Sequence, residues 1–153
     1  MSKAMALRSP ALRGRGGFAY RLDEQAGFVL RQVSQRHTGI FAATIGDETT
    51  PTQWAVLAKL MEAGASSQNA LGRQTAMDAA TVKGVVERLL RRGLVETRGD
   101  TEDARRIVVD LTEAGRRMAE TYEPRAVAIT EETLKPLSAP ERRVFLALLN
   151  RLC

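Results

Sequence analysis

From Leu22 onward, apolar residues recur at steps of three and four. Leu22, Ala26, Val29, Leu30, Val33, Ile40 and Phe41 share one helical stripe, with His37 on it as the polar exception. Gly46 and Asp47 mark the end of that helix. Thr50-Pro51-Thr52-Gln53 reads as the next start. Thr50 is the cap, Pro51 fits a first turn that has no use for its missing donor, and Gln53 completes a capping box. Trp54, Leu57, Ala58, Leu60 and Met61 form the buried face, and Gly64 closes the helix.

Ser66 or Ser67 caps a short helix containing Ala70, Leu71 and Arg73, and Thr75-Ala76-Met77 breaks it. Asp78 caps another helix, Ala79 to Arg92, with Val82, Val85, Val86, Leu89 and Leu90 inward and Gly93 as the stop. Two short helices joined by a tight turn form a helix-turn-helix pattern. The period then changes from helical to alternating. Residues 94–98 and 107–111 read as short strands around a polar turn, which makes a wing. Thr112 caps a second long helix to about Leu134, which Pro124 is expected to bend or break. Ser138-Ala139-Pro140-Glu141 is a further capping box. It opens a terminal helix with the stripe Val144, Phe145, Leu148, Leu149 and Leu152. The fold expected is mainly α with a small β-hairpin wing: a winged helix-turn-helix over residues 51–111, flanked by long dimerisation helices over 22–46 and 112–153.

Length and composition narrow the chemistry. A chain of 153 residues suits one domain. No apolar run approaches the ~20 residues of a membrane span, and no secretory signal is evident, so a cytoplasmic location is expected. One Cys (Cys153) and one His (His37) exclude an intrachain disulfide and a Cys/His zinc site within one chain. No cofactor or metal is expected. The net charge of +5 is carried by residues 1–21, which hold Lys3, Arg8, Arg13, Arg15 and Arg21 and no acid. The rest of the chain is neutral, so the high pI does not by itself argue for nucleic-acid binding by the folded body. The tail is read as a flexible segment, either a basic arm on DNA phosphates or simply solvated.

The order of elements and three local patterns resemble the MarR family of bacterial transcription regulators. The patterns are Arg91-Arg92-Gly93-Leu94-Val95, then Asp103-Ala104-Arg105-Arg106, then Leu111-Thr112-Glu113-Ala114-Gly115. The resemblance covers about residues 22–152, so residues 22–153 are read as one MarR-like domain. Thr101 departs from it, since Pro commonly follows the Asp in the wing turn. The resemblance implies a homodimer, most often a repressor, that binds pseudo-palindromic double-stranded DNA and, in many members, releases it when a small, often aromatic, acid binds; the effector expected here is a small aromatic acid or a conjugate of one.

The side chains suit that role. Ala79, Ala80 and Thr81 let a helix start enter the major groove closely, and Lys83 and Arg88 face outward beside them. Ser67, Gln68 and Arg73 are placed to hold the DNA backbone, with Arg98 and Arg106 as further phosphate contacts. Glu87, Arg91 and Arg92 read as a solvated face. The resemblance implies that Asp103 orients Arg105 into the minor groove, where a fixed guanidinium meets strong negative potential. Without DNA the same pair is an exposed salt bridge.

For an effector, the resemblance points to the hollow between the first helices and the long helix after the wing. Arg31 and Arg36 flank the His37 stripe and could meet a carboxylate. His37 and Trp54 supply a hydrogen-bonding group and an aromatic wall, or else are core residues satisfied within the chain. Cys153 is either a redox link between copies or an unactivated terminal thiol. A rival reading is a winged-helix protein-interaction module without DNA binding, kept open by the neutral body. A small enzyme has little support, with no phosphate-binding loop or acid pair at suggestive spacing.

Overall fold

The computed structural model describes residues 19–103 and 105–153, so the expectations for Met1 to Phe18 and for Ala104 lie outside the described residues. The described residues divide into two units between Ser34 and Gln35. In the first, a single 3-10 turn at Leu22–Glu24 precedes the start of α1 (Ala26–Ile45). Arg21 closes that turn by pairing with Glu24 at 3.2 Å. Val29, Leu30 and Val33 on α1 remain exposed.

The second unit holds the rest of α1, followed by α2 (Pro51–Ala63), β1 (Ser66–Ser67), α3 (Gln68–Gln74) and α4 (Ala79–Arg91). After these come β2 (Val95–Gly99), β3 (Ile107–Leu111), α5 (Glu113–Leu134) and α6 (Ala139–Asn150). The caps lie where local chemistry places them. Thr50, Ser67, Asp78 and Thr112 accept from the backbone N–H three residues on, and Ser138 and Glu141 complete a capping box. Gly64 and Gly93 follow α2 and α4 with positive φ.

One apolar core joins α2, α3, α4 and the sheet through Leu57, Leu60, Leu71, Val85, Leu89 and Val109. A second cluster holds Phe41, Ile45, Tyr122 and Ile129, and Trp54 and Met118 pack against both. The junction of wing and α5 is very close. Thr112 N–H donates to the Leu94 carbonyl at 3.2 Å, and a Cβ built on Gly115 would lie 1.9 Å from that oxygen. Glycine near the start of α5 is thus required by an approach of backbone to backbone.

Several expectations change. Met61 and Leu90, expected on buried helix faces, are exposed at the edges of those faces. The wing is not an isolated hairpin. Ser66 and Ser67 pair antiparallel with Val109 and Val108, giving a three-stranded sheet of order β1-β3-β2. Pro124 does not break α5, which runs unbroken through it. Pro124 and Glu120, whose carbonyl loses its helical donor, are both exposed, so the cost of the missing bond is not that of a buried unpaired group, and the φ that proline fixes is itself compatible with a helix. The capping box at Thr50 is half made. Gln53 N–H reaches Thr50 Oγ1 at 3.2 Å, but the Gln53 side chain turns inward.

Candidate nucleic-acid interface and adjoining hollow

The helix-turn-helix is built by a close crossing. At Gly72 a Cβ would meet the Met77 carbonyl at 3.1 Å and Val82 Cγ1 at 3.3 Å, so α3 and α4 approach more tightly than a side chain allows with ease. Ala76, at φ 53°, turns the chain between them. Asp78 then caps α4 through Thr81 N–H at 2.7 Å. That bond, with the Thr81 hydroxyl second, holds the Asp78 carboxyl below its ordinary value. The Thr81 hydroxyl is therefore shared between its cap and any groove contact.

Burial of Val82, Val85, Val86 and Leu89 directs the other face of α4 to solvent. Ala79, Ala80, Thr81, Lys83 and Arg88 are all exposed there. Lys83 lies 4.0 Å from Glu87, and the Arg88 guanidinium lies over Gly84, where only a bare Cα stands beneath it.

A polar cleft of about 260 Å³ opens between the start of α3 and the base of the wing. It brings together five of the residues singled out from sequence, Ser67, Gln68, Arg73, Arg105 and Arg106, and adds Asn69 and Ile107. Among the described residues, three guanidinium groups and no carboxylate line it, which suits an anionic partner. The pairing of β1 with β3 is what fixes Ser67 and Gln68 against the wing. The wing turn is tied by Asp100, which accepts from Glu102 N–H at 2.8 Å, and by Asp103, which accepts from Arg105 N–H at 3.0 Å. Asp103 holds the Arg105 backbone more firmly than its guanidinium, which is 4.0 Å away and almost fully exposed. Arg106 pairs with Asp103 more closely, at 3.6 Å. Arg98 is exposed on β2 and does not line the cleft.

His37 and Trp54 do meet. With Phe41, Pro51, Ala126, Ile129 and Thr130 they line a hollow of about 140 Å³, near the ~150 Å³ of a cavity that admits one benzene ring. His37 Nδ1 lies 2.9 Å from Thr133 Oγ1. The Thr133 hydroxyl proton is already given to the Ile129 carbonyl at 2.7 Å, so Thr133 accepts from His37 Nδ1–H. That fixes the tautomer and leaves Nε2 with the lone pair in the neutral ring. Arg36, expected beside a ligand, instead donates to the Thr133 and Glu132 carbonyls at 2.7 and 3.1 Å, capping the last turn of α5. Arg31 is exposed on α1 in the first unit. Trp54 also borders a second hollow of about 300 Å³ with Ala58, Met61, Glu62, Ala119 and Glu123.

Sequence reasoning missed Arg92, which was read as solvated. Its Nη1 donates to Gln53 Oε1 at 2.8 Å, across 39 residues of chain. No short-range pattern could have announced that bond. Among the described residues, no group of three or more His, Cys, Asp or Glu side chains is placed to hold a metal ion, and no helix is long and apolar enough to cross a membrane.

A tight α3–α4 crossing, an exposed α4 face and a hairpin bordering a basic cleft define a winged helix-turn-helix protein of the DNA-binding kind. Comparison with known proteins makes the class specific. The MarR family profile matches residues 48–106. The HTH-type transcriptional repressor NicR of Pseudomonas putida is 40% identical over 87% of this chain and 85% of its own. The chain belongs to the MarR family. Among solved structures, a probable transcriptional regulator from Pseudomonas aeruginosa is 51% identical with a TM-score of 0.82, covering 87% of this chain and all of its own. BpsR of Bordetella bronchiseptica, whose DNA binding is regulated by 6-hydroxynicotinic acid, is 41% identical with a TM-score of 0.80, over 84% of this chain and 98% of its own. These relatives are transcription regulators rather than enzymes.

Proposed function

We propose that this protein is a homodimeric transcription repressor that binds a pseudo-palindromic operator and leaves it when a small hydroxylated aromatic acid binds. The observation that carries the DNA reading is the cleft lined by Arg73, Arg105 and Arg106, three guanidinium groups whose one paired carboxylate among the described residues is Asp103, beside the exposed start of α4. In this reading α4 enters the major groove with Ala79, Ala80 and Thr81 leading. Lys83 and Arg88 meet groove or phosphate, Ser67, Gln68 and Arg73 hold the backbone, and Arg105 reaches the minor groove with Arg98 nearby.

Dimerisation answers to exposed apolar side chains. Val29, Leu30 and Val33 on α1 and Val144, Leu148 and Leu152 at the C-terminal end are uncovered within one chain. A dimer also sets two copies of α4 about one DNA turn apart, ~34 Å, as two half-sites require.

The effector reading rests on the hollow at His37. Because Thr133 fixes Nδ1–H, the neutral ring offers Nε2 as an acceptor to a ligand hydroxyl, and the imidazolium offers a donor to a carboxylate. Trp54 supplies an aromatic wall. NicR is a repressor and BpsR responds to 6-hydroxynicotinic acid, which supports both halves of the proposal. Fluorescence anisotropy at fixed salt, with a duplex selected from a random pool, tests it. Binding should be tight and should weaken on adding 6-hydroxynicotinic acid, and more so than with nicotinic acid, which lacks the hydroxyl. His37→Ala should keep DNA affinity and lose that response. Full release of a well-folded His37→Ala dimer would place the effector elsewhere.

A further inference from the structure

Among the described residues, the two polar side chains buried in the fold are Thr49 and Gln53. Both converge on one atom. Gln53 Oε1 accepts from Thr49 Oγ1 at 3.3 Å and from Arg92 Nη1 at 2.8 Å. Arg92 is the C-cap that follows α4, and its other terminal nitrogen lies 3.9 Å from Met118 Sδ on α5. Gln53 sits in the first turn of α2, directly before Trp54, which walls the His37 hollow. Met118 and Trp54 each touch both apolar clusters. Beside this junction the Tyr122 hydroxyl donates to the Glu48 carboxylate, so the segment entering α2 is also tied to α5.

Arg92 is itself exposed, so burial of its side chain does not account for the contact; its guanidinium reaches in to the buried Gln53 carbonyl. What the hydrogen bond adds is direction. Packed methyl groups slide past one another, whereas a guanidinium held on a buried carbonyl moves with it. The start of α2 and the end of α4 are thereby joined as one lever.

We propose that Arg92 is a positioning residue that couples the His37–Trp54 hollow to the recognition helix, through its hydrogen bond to Gln53. The proposal rests on the DNA and effector reading above. A shift of Gln53 and Trp54 on filling the hollow is passed to the C-terminal end of α4 and alters its angle to the DNA. Coupling of binding free energies is reciprocal, so docking of α4 on DNA must also be felt at Trp54.

Trp54 is the single tryptophan of the chain, which makes it a clean reporter. Its emission is followed while full-length protein is titrated with a duplex that the wild type selects from a random pool, at fixed salt and without effector. The wild type should show an emission change that saturates with DNA binding. Arg92→Met, which keeps the stem on Met118 and removes the donor, should bind the same duplex within about threefold and lose at least two-thirds of that change. Gln53→Glu keeps an acceptor for Arg92 and should retain it. Should Arg92→Met fail to fold, Gln53→Met removes the acceptor from the other side of the same bond, and it should give the same loss. A merely structural Arg92 would lower the melting midpoint and leave the emission response of folded protein at the wild-type size, which overturns the coupling. Wild-type protein that binds the duplex with no change at Trp54 also overturns it and leaves DNA binding intact. Wild-type protein that selects no duplex takes both readings down together.

Discussion

Replacing Gly115 by alanine tests how the wing is anchored to the rest of the fold. The new Cβ would fall 1.9 Å from the Leu94 carbonyl oxygen, 2.9 Å from its carbon and 3.2 Å from Leu111 Cδ2. Carbon and carbonyl oxygen ordinarily approach no closer than about 3.3 Å, so the start of α5 must withdraw from Leu94 by on the order of 1 Å. The obstacle is backbone, not the end of a flexible side chain, and it cannot step aside. Overpacking of this kind costs about 1–3 kcal/mol. Withdrawal also stretches the Thr112 N–H bond to Leu94, now 3.2 Å, a bond worth about 0.5–1.5 kcal/mol. Against these stands the better helix propensity of alanine, at most about 1 kcal/mol. A net loss of about 1–3 kcal/mol is expected. It should appear as a lower urea midpoint at fixed protein concentration and pH 7. Gly39→Ala is the control. It lies within α1, its added Cβ would meet nothing within 4 Å, and it should be neutral or slightly stabilising. A Gly115→Ala protein with a midpoint equal to or above the wild type would refute the argument from close approach.

Three further outcomes are expected. Arg105→Ala should weaken binding of a selected duplex by about 1–3 kcal/mol with folding intact, the range of a lost groove contact. An unchanged anisotropy titration at fixed salt would remove Arg105 from the interface. Because the Thr81 bonds hold the Asp78 carboxyl below its ordinary value, the charged cap contributes fully at and above ordinary carboxylate pKa values. That contribution is lost as pH falls through the lower folded value. The thermal midpoint should therefore drop further on acidification in the wild type than in Asp78→Ser, which keeps a cap without the charge, and parallel curves would contradict this. Removing residues 138–153 should yield monomer or aggregate in analytical ultracentrifugation, because α6 carries the exposed Val144 and Leu148. A truncated chain that still sediments as the full-length dimer would place the interface elsewhere.

Much of the architecture could be read locally, because its signals lie within a few residues of one another. A cap acts on the N–H three positions ahead, as at Ser67, Asp78 and Thr112, and a helical stripe repeats every three or four residues. The change of period after Gly93 likewise announced the wing. The DNA-facing candidates followed, since burying Val82, Val85, Val86 and Leu89 decides which side of α4 meets solvent. What only the tertiary structure decided are the pairings made across long stretches of chain. Two serines too short to show any period become a strand because Val108 and Val109 lie alongside. Gln53 and Arg36 spend their side chains on Arg92 and on the end of α5, not on a cap or a ligand. Pro124 is accepted mid-helix where it and Glu120, whose carbonyl loses its helical donor, are both exposed. Gly115 has its reason in Leu94, a backbone atom 21 residues earlier. Local hydrogen bonds are fixed by spacing in the chain, whereas hydrogen bonds and close approaches between elements depend on which surfaces burial has already brought together.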